Sequence, residues 1–275
     1  MTTLAQEGPL KLATLLKHLI YNRVMKKFLV RIAIPCLLSS STLLLSTYAP
    51  GSQAESAAVE TITFTNTQTW SPRYLQWAEM AIDIPGVALP PSPKNISSTT
   101  KKELAILHAY QNARTEKNIE EIKQEDNIYD ASFGEQTFGQ LVDETKRPLT
   151  FELMKKVIEL ESPQIMKQKK IYNRVRPSYL DPSIKPVIDI PAHPAYPSGH
   201  STQANLRALV LSELDPKNRI NYQQSAKRIA RNREVAGLHY PSDSKAGAIL
   251  ARQLFKKLMS TPDFTQHLQA AKAEW

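Results

Sequence analysis

His200 and His239 share one stretch of this chain with fixed cations and a glycine turn. Asp243 follows His239 at the fourth position. A carboxylate there can accept one ring N–H and leave the other nitrogen free as a nucleophile. Arg233, six residues before His239, can bring a guanidinium to the same place. His200 closes the run Pro197-Ser198-Gly199-His200. Backbone amides at the start of a helix, a glycine that allows close approach and the Ser198 hydroxyl make that run a ready anion site. Upstream stand Lys169 and Arg176, seven residues apart, which two turns of helix would place on one side before Pro177 ends the element. An Arg fork takes two oxygens of a phosphate-shaped anion at once, and a Lys acts as a mobile point charge. The set could hold such an anion, attack it and protonate what leaves.

Taken singly, each segment has a plainer reading. Lys169 and Arg176, with Lys167, Lys170 and Arg174 nearby, could be a solvated basic helix end. Pro197–His200 could be an ordinary capping turn, and His239 with Asp243 a surface hydrogen bond. The order and spacing of all three favour the chemistry. His193, in a proline-rich loop without a defined partner, reads as structural or peripheral.

These residues need helices to position them. Apolar residues recur at helical spacing over Ser98–Lys123, again over 148–170 with Pro148 at the start, and over 200–214, ended by Asp215-Pro216. Two further helices are expected over 217–234 and 244–259. Pro177 to Pro197 must be loop. Residues 55–97 read as an irregular lead-in, with a strand-like Thr61-Ile62-Thr63-Phe64 and a helix from Pro72 to about Asp83. No stretch sustains β alternation and no repeat is present. The expectation is one all-α domain over 98–275.

The motifs carry a resemblance. Lys-x6-Arg-Pro, Pro-Ser-Gly-His and Ser-Arg-x5-His-x3-Asp characterise the type 2 phosphatidic acid phosphatase superfamily. That superfamily includes secreted bacterial acid phosphatases, membrane lipid phosphatases and vanadium haloperoxidases. This chain matches at Lys169, Arg176, Pro177, Pro197, Ser198, Gly199, His200, Arg233, His239 and Asp243, and has Asn232 where the pattern has Ser. The match covers about residues 169–247. The resemblance implies a helical bundle in which His239 forms a phosphohistidine, oriented by Asp243, and His200 protonates the leaving alcohol. It also implies that Lys169, Arg176, Ser198, Gly199 and Arg233 bind the phosphoryl oxygens, with no metal or other cofactor.

Within that superfamily the chain most resembles the secreted class A-like acid phosphatases, although Pro194-Ala195 replaces the Gly-Ser that usually precedes Tyr-Pro-Ser-Gly-His. The expected substrates are small phosphate esters. A vanadium-dependent haloperoxidase is the rival, because the same pocket would hold vanadate. A lipid phosphatase would need spanning helices, and after the leader no apolar run nears the required ~20 residues. A non-catalytic phosphate binder would be expected to lose one of the histidines.

The leader itself is read from Met25. Met25-Lys26-Lys27-Phe28-Leu29-Val30-Arg31 precedes an apolar run over Ile32–Leu45 and an exit at Ser52-Gln53-Ala54. This is a signal-peptide pattern, with cleavage expected after Ala54 and a periplasmic or secreted destination. Cys36, the single cysteine, lies inside it, so no disulfide is expected in the mature chain. The formal charge of +9 includes a net +5 in residues 1–54, which leaves +4. That is too mild a charge to argue for nucleic acid, and it suits small anions.

Overall fold

Prolines punctuate this fold. A computed structural model describes residues 58–126 and 142–275. In it, helices α1 (Pro72–Met80), α4 (Pro148–Tyr172), α5 (Pro177–Leu180), α8 (Pro241–Met259) and α9 (Pro262–Ala271) all begin with proline in the first turn. Proline is pre-shaped for that position, and the amide it lacks would have had no intrahelical partner there. The remaining helices are α2 (Ser98–Ala113), α3 (Glu116–Gln124), α6 (Gly199–Leu214) and α7 (Arg219–Val235). No strand occurs among the described residues. The leader features at Met25, Ile32–Leu45, Cys36 and Ala54 lie outside them.

Helix α6 is the hub. It packs against α4, α7 and α8. Its apolar side chains other than Leu209 are buried, and so are Thr202, Gln203, Arg207 and Ser212, so it is largely enclosed rather than amphipathic as its pattern suggested. Arg207 is tolerated there because Glu161 of α4 meets it at 2.9 Å. Gly247 sets the approach of α8 to α6: a Cβ there would lie 2.6 Å from the Ser198 carbonyl and 2.9 Å from Ser201 Cβ.

Several sequence expectations are revised. The stretch from Pro177 to Pro197 is not loop throughout, because Pro177–Leu180 forms the short helix α5 with proline in its first turn. The helix expected over Ser98–Lys123 is two helices, because Thr115 caps a new one through its hydroxyl and the Asn118 side chain. Thr61–Phe64 is not a strand. The Thr63 amide donates to the Asn66 side chain, and the Phe64 carbonyl accepts from Thr67 and Gln68, which closes turns instead. Helix α4 stops at Tyr172, with Asn173 left-handed at φ 48°. Arg176 therefore lies beyond the helix that carries Lys169. The lead-in packs on the same core, with Phe64 fully buried and Trp70, Tyr74 and Trp77 against the main cluster. Helix α9, unanticipated from the pattern, buries Phe264 and Leu268.

Candidate active site

The three motifs converge at the N-terminus of α6. Ser198 caps that helix, and its amide donates to the Asp243 carbonyl at 3.0 Å, which ties the second motif to the third. Gly199, His200 and His239 line one cavity, together with Trp77, Ile165, Met166, Pro191, His193 and Leu238. A Cβ on Gly199 would meet only ordinary contacts, the nearest 3.7 Å away. The protein's own packing therefore does not demand glycine there, and a ligand approaching the backbone would.

His239 is held at both nitrogens. Its Nδ1 lies 3.2 Å from Asp243 Oδ2, and its Nε2 lies 3.1 Å from Arg176 Nη1. A guanidinium only donates, so Nε2 must accept and Nδ1 must carry the proton toward the carboxylate. That tautomer leaves a lone pair on Nε2, as a nucleophile requires. Gly237, at φ 77°, shapes the turn that delivers His239 after α7.

The other predicted residues fall into two groups. Arg233 and His200 meet at 3.4 Å (Nη1 to Nε2). Asp126 joins them, 3.3 Å from Arg233 and 3.9 Å from His200, so a carboxylate occupies the neighbourhood where an anion would bind. Lys169 does something the spacing did not suggest. Its ammonium donates to the carbonyls of Pro194, Ala195 and Pro197, at 2.8, 3.2 and 2.6 Å, and so fastens the loop before Gly199. The Tyr196–Pro197 peptide in that loop is cis.

Burial and neighbouring cations hold all three site histidines well below the ordinary imidazole range. For His239 the cations are Arg176, Lys169 and Arg233. For His200, Arg233 leads, and for His193, Lys169 and Arg176. Burial likewise pushes the Lys169 ammonium down, with Arg176 adding to it. A bound oxyanion would reverse the cationic contribution.

Sequence reasoning passed over Arg174. Its Nη1 meets Asp243 Oδ1 at 2.6 Å and its Nη2 meets Glu103 Oε2 at 3.0 Å, all three buried. Glu103 in turn accepts the Ser242 amide. The Asp243 carboxylate is thus clamped from behind while its other oxygen faces His239. The signal was a single arginine among several basic residues, and only its buried partners distinguish it. Asn232, where the motif has Ser, donates to Glu125, at the C-terminal end of α3, at 2.9 Å.

No family model matches the chain. A non-specific acid phosphatase of Providencia stuartii is 28% identical over 198 residues, 68% of this chain and 79% of that protein. An acid phosphatase of Zymomonas mobilis is 30% identical over 142 residues, 50% of this chain and 53% of that protein. The fold is similar to that of a bacterial vanadium-dependent iodoperoxidase, with a TM-score of 0.53 and 18% identity, over 73% of this chain and 62% of that one. The chain is thus similar in sequence to bacterial acid phosphatases and in fold to a vanadium-dependent haloperoxidase, as its resemblance to the type 2 phosphatidic acid phosphatase superfamily implied. No described helix is long and apolar enough to cross a membrane, and no group of three metal-ligating side chains occurs among the described residues.

Proposed function

We propose that this protein is an exported acid phosphatase that hydrolyses phosphate monoesters through a phosphohistidine at His239. The observation that carries the reading is the double clamp on His239, with donor-only Arg176 at Nε2 and Asp243 at Nδ1. It fixes the one tautomer that can attack. Similarity to two acid phosphatases supports the same class of reaction.

In this reading Nε2 of His239 forms a bond to phosphorus while the ester P–O bond breaks, and His200 gives its proton to the departing alkoxide. Neutral His200 then takes a proton from water. The water oxygen attacks phosphorus, the N–P bond breaks and inorganic phosphate leaves. Arg176, Arg233, the Ser198 hydroxyl and the Gly199 amide stabilise charge spread over the equatorial oxygens, and Lys169, with its three N–H groups on loop carbonyls, contributes its positive charge. No metal takes part in any step. The depressed histidines fit acid operation: His239 stays unprotonated at low pH, and His200 acquires its proton only there or when a phosphate dianion arrives. Export rests on the leader pattern from Met25, with residues 1–54 removed and the catalytic domain beginning near Ser98.

The deciding experiment runs one preparation on an aryl phosphate and, separately, on halide with vanadate and peroxide. Phosphate release with an optimum below neutrality, unaffected by a chelator and lost in His239→Ala, is expected. Halide oxidation without phosphate release would favour the haloperoxidase, and a strict demand for added divalent metal would refute this mechanism.

A further inference from the structure

Beyond the two histidines of the motifs, a third enters the same cavity. His193 is 4% exposed and sits edge-on to Tyr74, with ring centroids 4.8 Å apart. It lines the cavity with Trp77, Ser162, Gly199, His200 and His239. Its Nδ1 lies 3.0 Å from Arg176 Nη2 and 3.2 Å from the Pro194 carbonyl. The two contacts demand opposite proton positions. The arginine decides: it is the closer and can only donate, whereas a carbonyl 3.2 Å away can be left without that proton. Nδ1 therefore accepts, and the proton of the neutral ring sits on Nε2. That nitrogen is shut off from solvent and has no hydrogen-bond partner among the described residues. Ser162 Oγ, on the same cavity, is in the same condition. A buried donor left unmatched is costly, and sites that bind ligands are where such atoms are tolerated.

We infer that His193 is a substrate-binding residue, whose Nε2–H donates to an oxygen of the phosphoryl group held between His239 and His200. The inference rests on the phosphatase reading above and adds to it a contact outside the three motifs. One guanidinium, Arg176, bridges the nucleophile and this donor, so both are set by the same side chain. A neutral imidazole also suits the place. Two cations already flank it, and a hydrogen bond can be added there without a third charge.

Two near-isosteres separate the nitrogens. His193→Gln places an amide N–H near the position of Nε2, and His193→Asn keeps a polar atom only near Nδ1. The readouts are the competitive inhibition constants for inorganic phosphate and vanadate and the KM for an aryl phosphate, with phosphate affinity by calorimetry as a measure independent of turnover. His193→Asn should weaken phosphate and vanadate by about tenfold, the usual size for a hydrogen bond to a charged acceptor, while His193→Gln keeps most of the affinity. Melting temperatures identify a variant that has simply lost its packing. Unchanged constants in His193→Asn, or equal losses in both folded variants, would overturn the inference. A wild-type protein that neither binds phosphate nor releases it from the ester would instead overturn the phosphatase reading, and this contact with it.

Discussion

His200 and His239 are chemically the same side chain, and their surroundings divide the labour between them. His239 has a carboxylate behind it and an arginine donor at its lone pair, which defines an attacking nitrogen. His200 faces Arg233 and Asp126 in a buried setting that keeps its proton affinity low until a phosphate dianion arrives to favour the charged ring. His200→Ala should therefore cost about 10²-fold or more on alkyl phosphates, whose alkoxides depart poorly without a proton. It should cost far less on an activated aryl phosphate. Steady-state rates on the two substrates check this, and equal losses would assign His200 a structural role. Asp126→Asn should tighten inhibition by inorganic phosphate, because it removes a negative charge 3.3 Å from Arg233 at the place where phosphate competes. An unchanged inhibition constant would show that the carboxylate is already displaced in solution.

Elements matter here through how closely they approach. The loop from Pro194 to Ser198 carries no long regular structure. It is held from below by Lys169 of α4 and from the side by the Asp243 carbonyl at the head of α8. Gly247 lets α8 come that near. Gly247→Ala must push Ser198 or α8 aside, since a 2.6 Å contact with a backbone oxygen cannot be relieved by a rotamer change. Overpacking of this kind costs roughly 1–3 kcal/mol. The variant should melt lower and lose turnover together, as checked by thermal unfolding beside the phosphatase assay. Gly199→Ala gives the contrast: its Cβ meets no clash within the fold, so it should fold normally and bind phosphate poorly. A Gly199→Ala enzyme with normal phosphate affinity would remove the argument that the backbone there faces the ligand.

Over the whole molecule, three buried neutral histidines make stability depend on pH. Each has its affinity for protons lowered by folding. The unfolded chain takes up their protons near pH ~6.5, where the folded chain does not. Stability contributed by these groups is therefore complete above that value and is lost as pH falls toward their depressed folded values. Glu161 and Glu234, raised chiefly by burial, act in the opposite sense from pH 4.5 up to their raised folded values, so comparing variant and wild type at each pH is needed to isolate the histidine. His239→Gln should gain melting temperature relative to wild type as pH falls from about 7 to about 5. A difference that stays flat over that interval would mean that folding does not depress His239. Added inorganic phosphate should recover part of the wild-type loss, by binding only the folded state and by favouring protons on the neighbouring rings.

The division between sequence and tertiary structure follows from what each can carry. Motif order and spacing nominated His200, His239, Asp243, Lys169, Arg176, Ser198, Gly199 and Arg233 as one set, and of these the structure puts Gly199, His200 and His239 on one cavity, with Asp243 and Arg176 at the two nitrogens of His239. Periodicity and proline placement were enough for an all-α bundle with most of its helices. Long-range contact decided the rest. Lys169 and Arg176 are parted by the turn at Asn173 and reunited only by the Pro-rich loop folding back. Arg174 and His193 looked like surface or loop residues until burial gave them partners, among them Glu103 of α2, 71 residues from Arg174. Helix α6 looked amphipathic because its buried polar residues can be matched only by other helices, such as Glu161 of α4 facing Arg207. A sequence records which groups are available. Which of them lose their water, and therefore must be paired, is settled when the helices close around them.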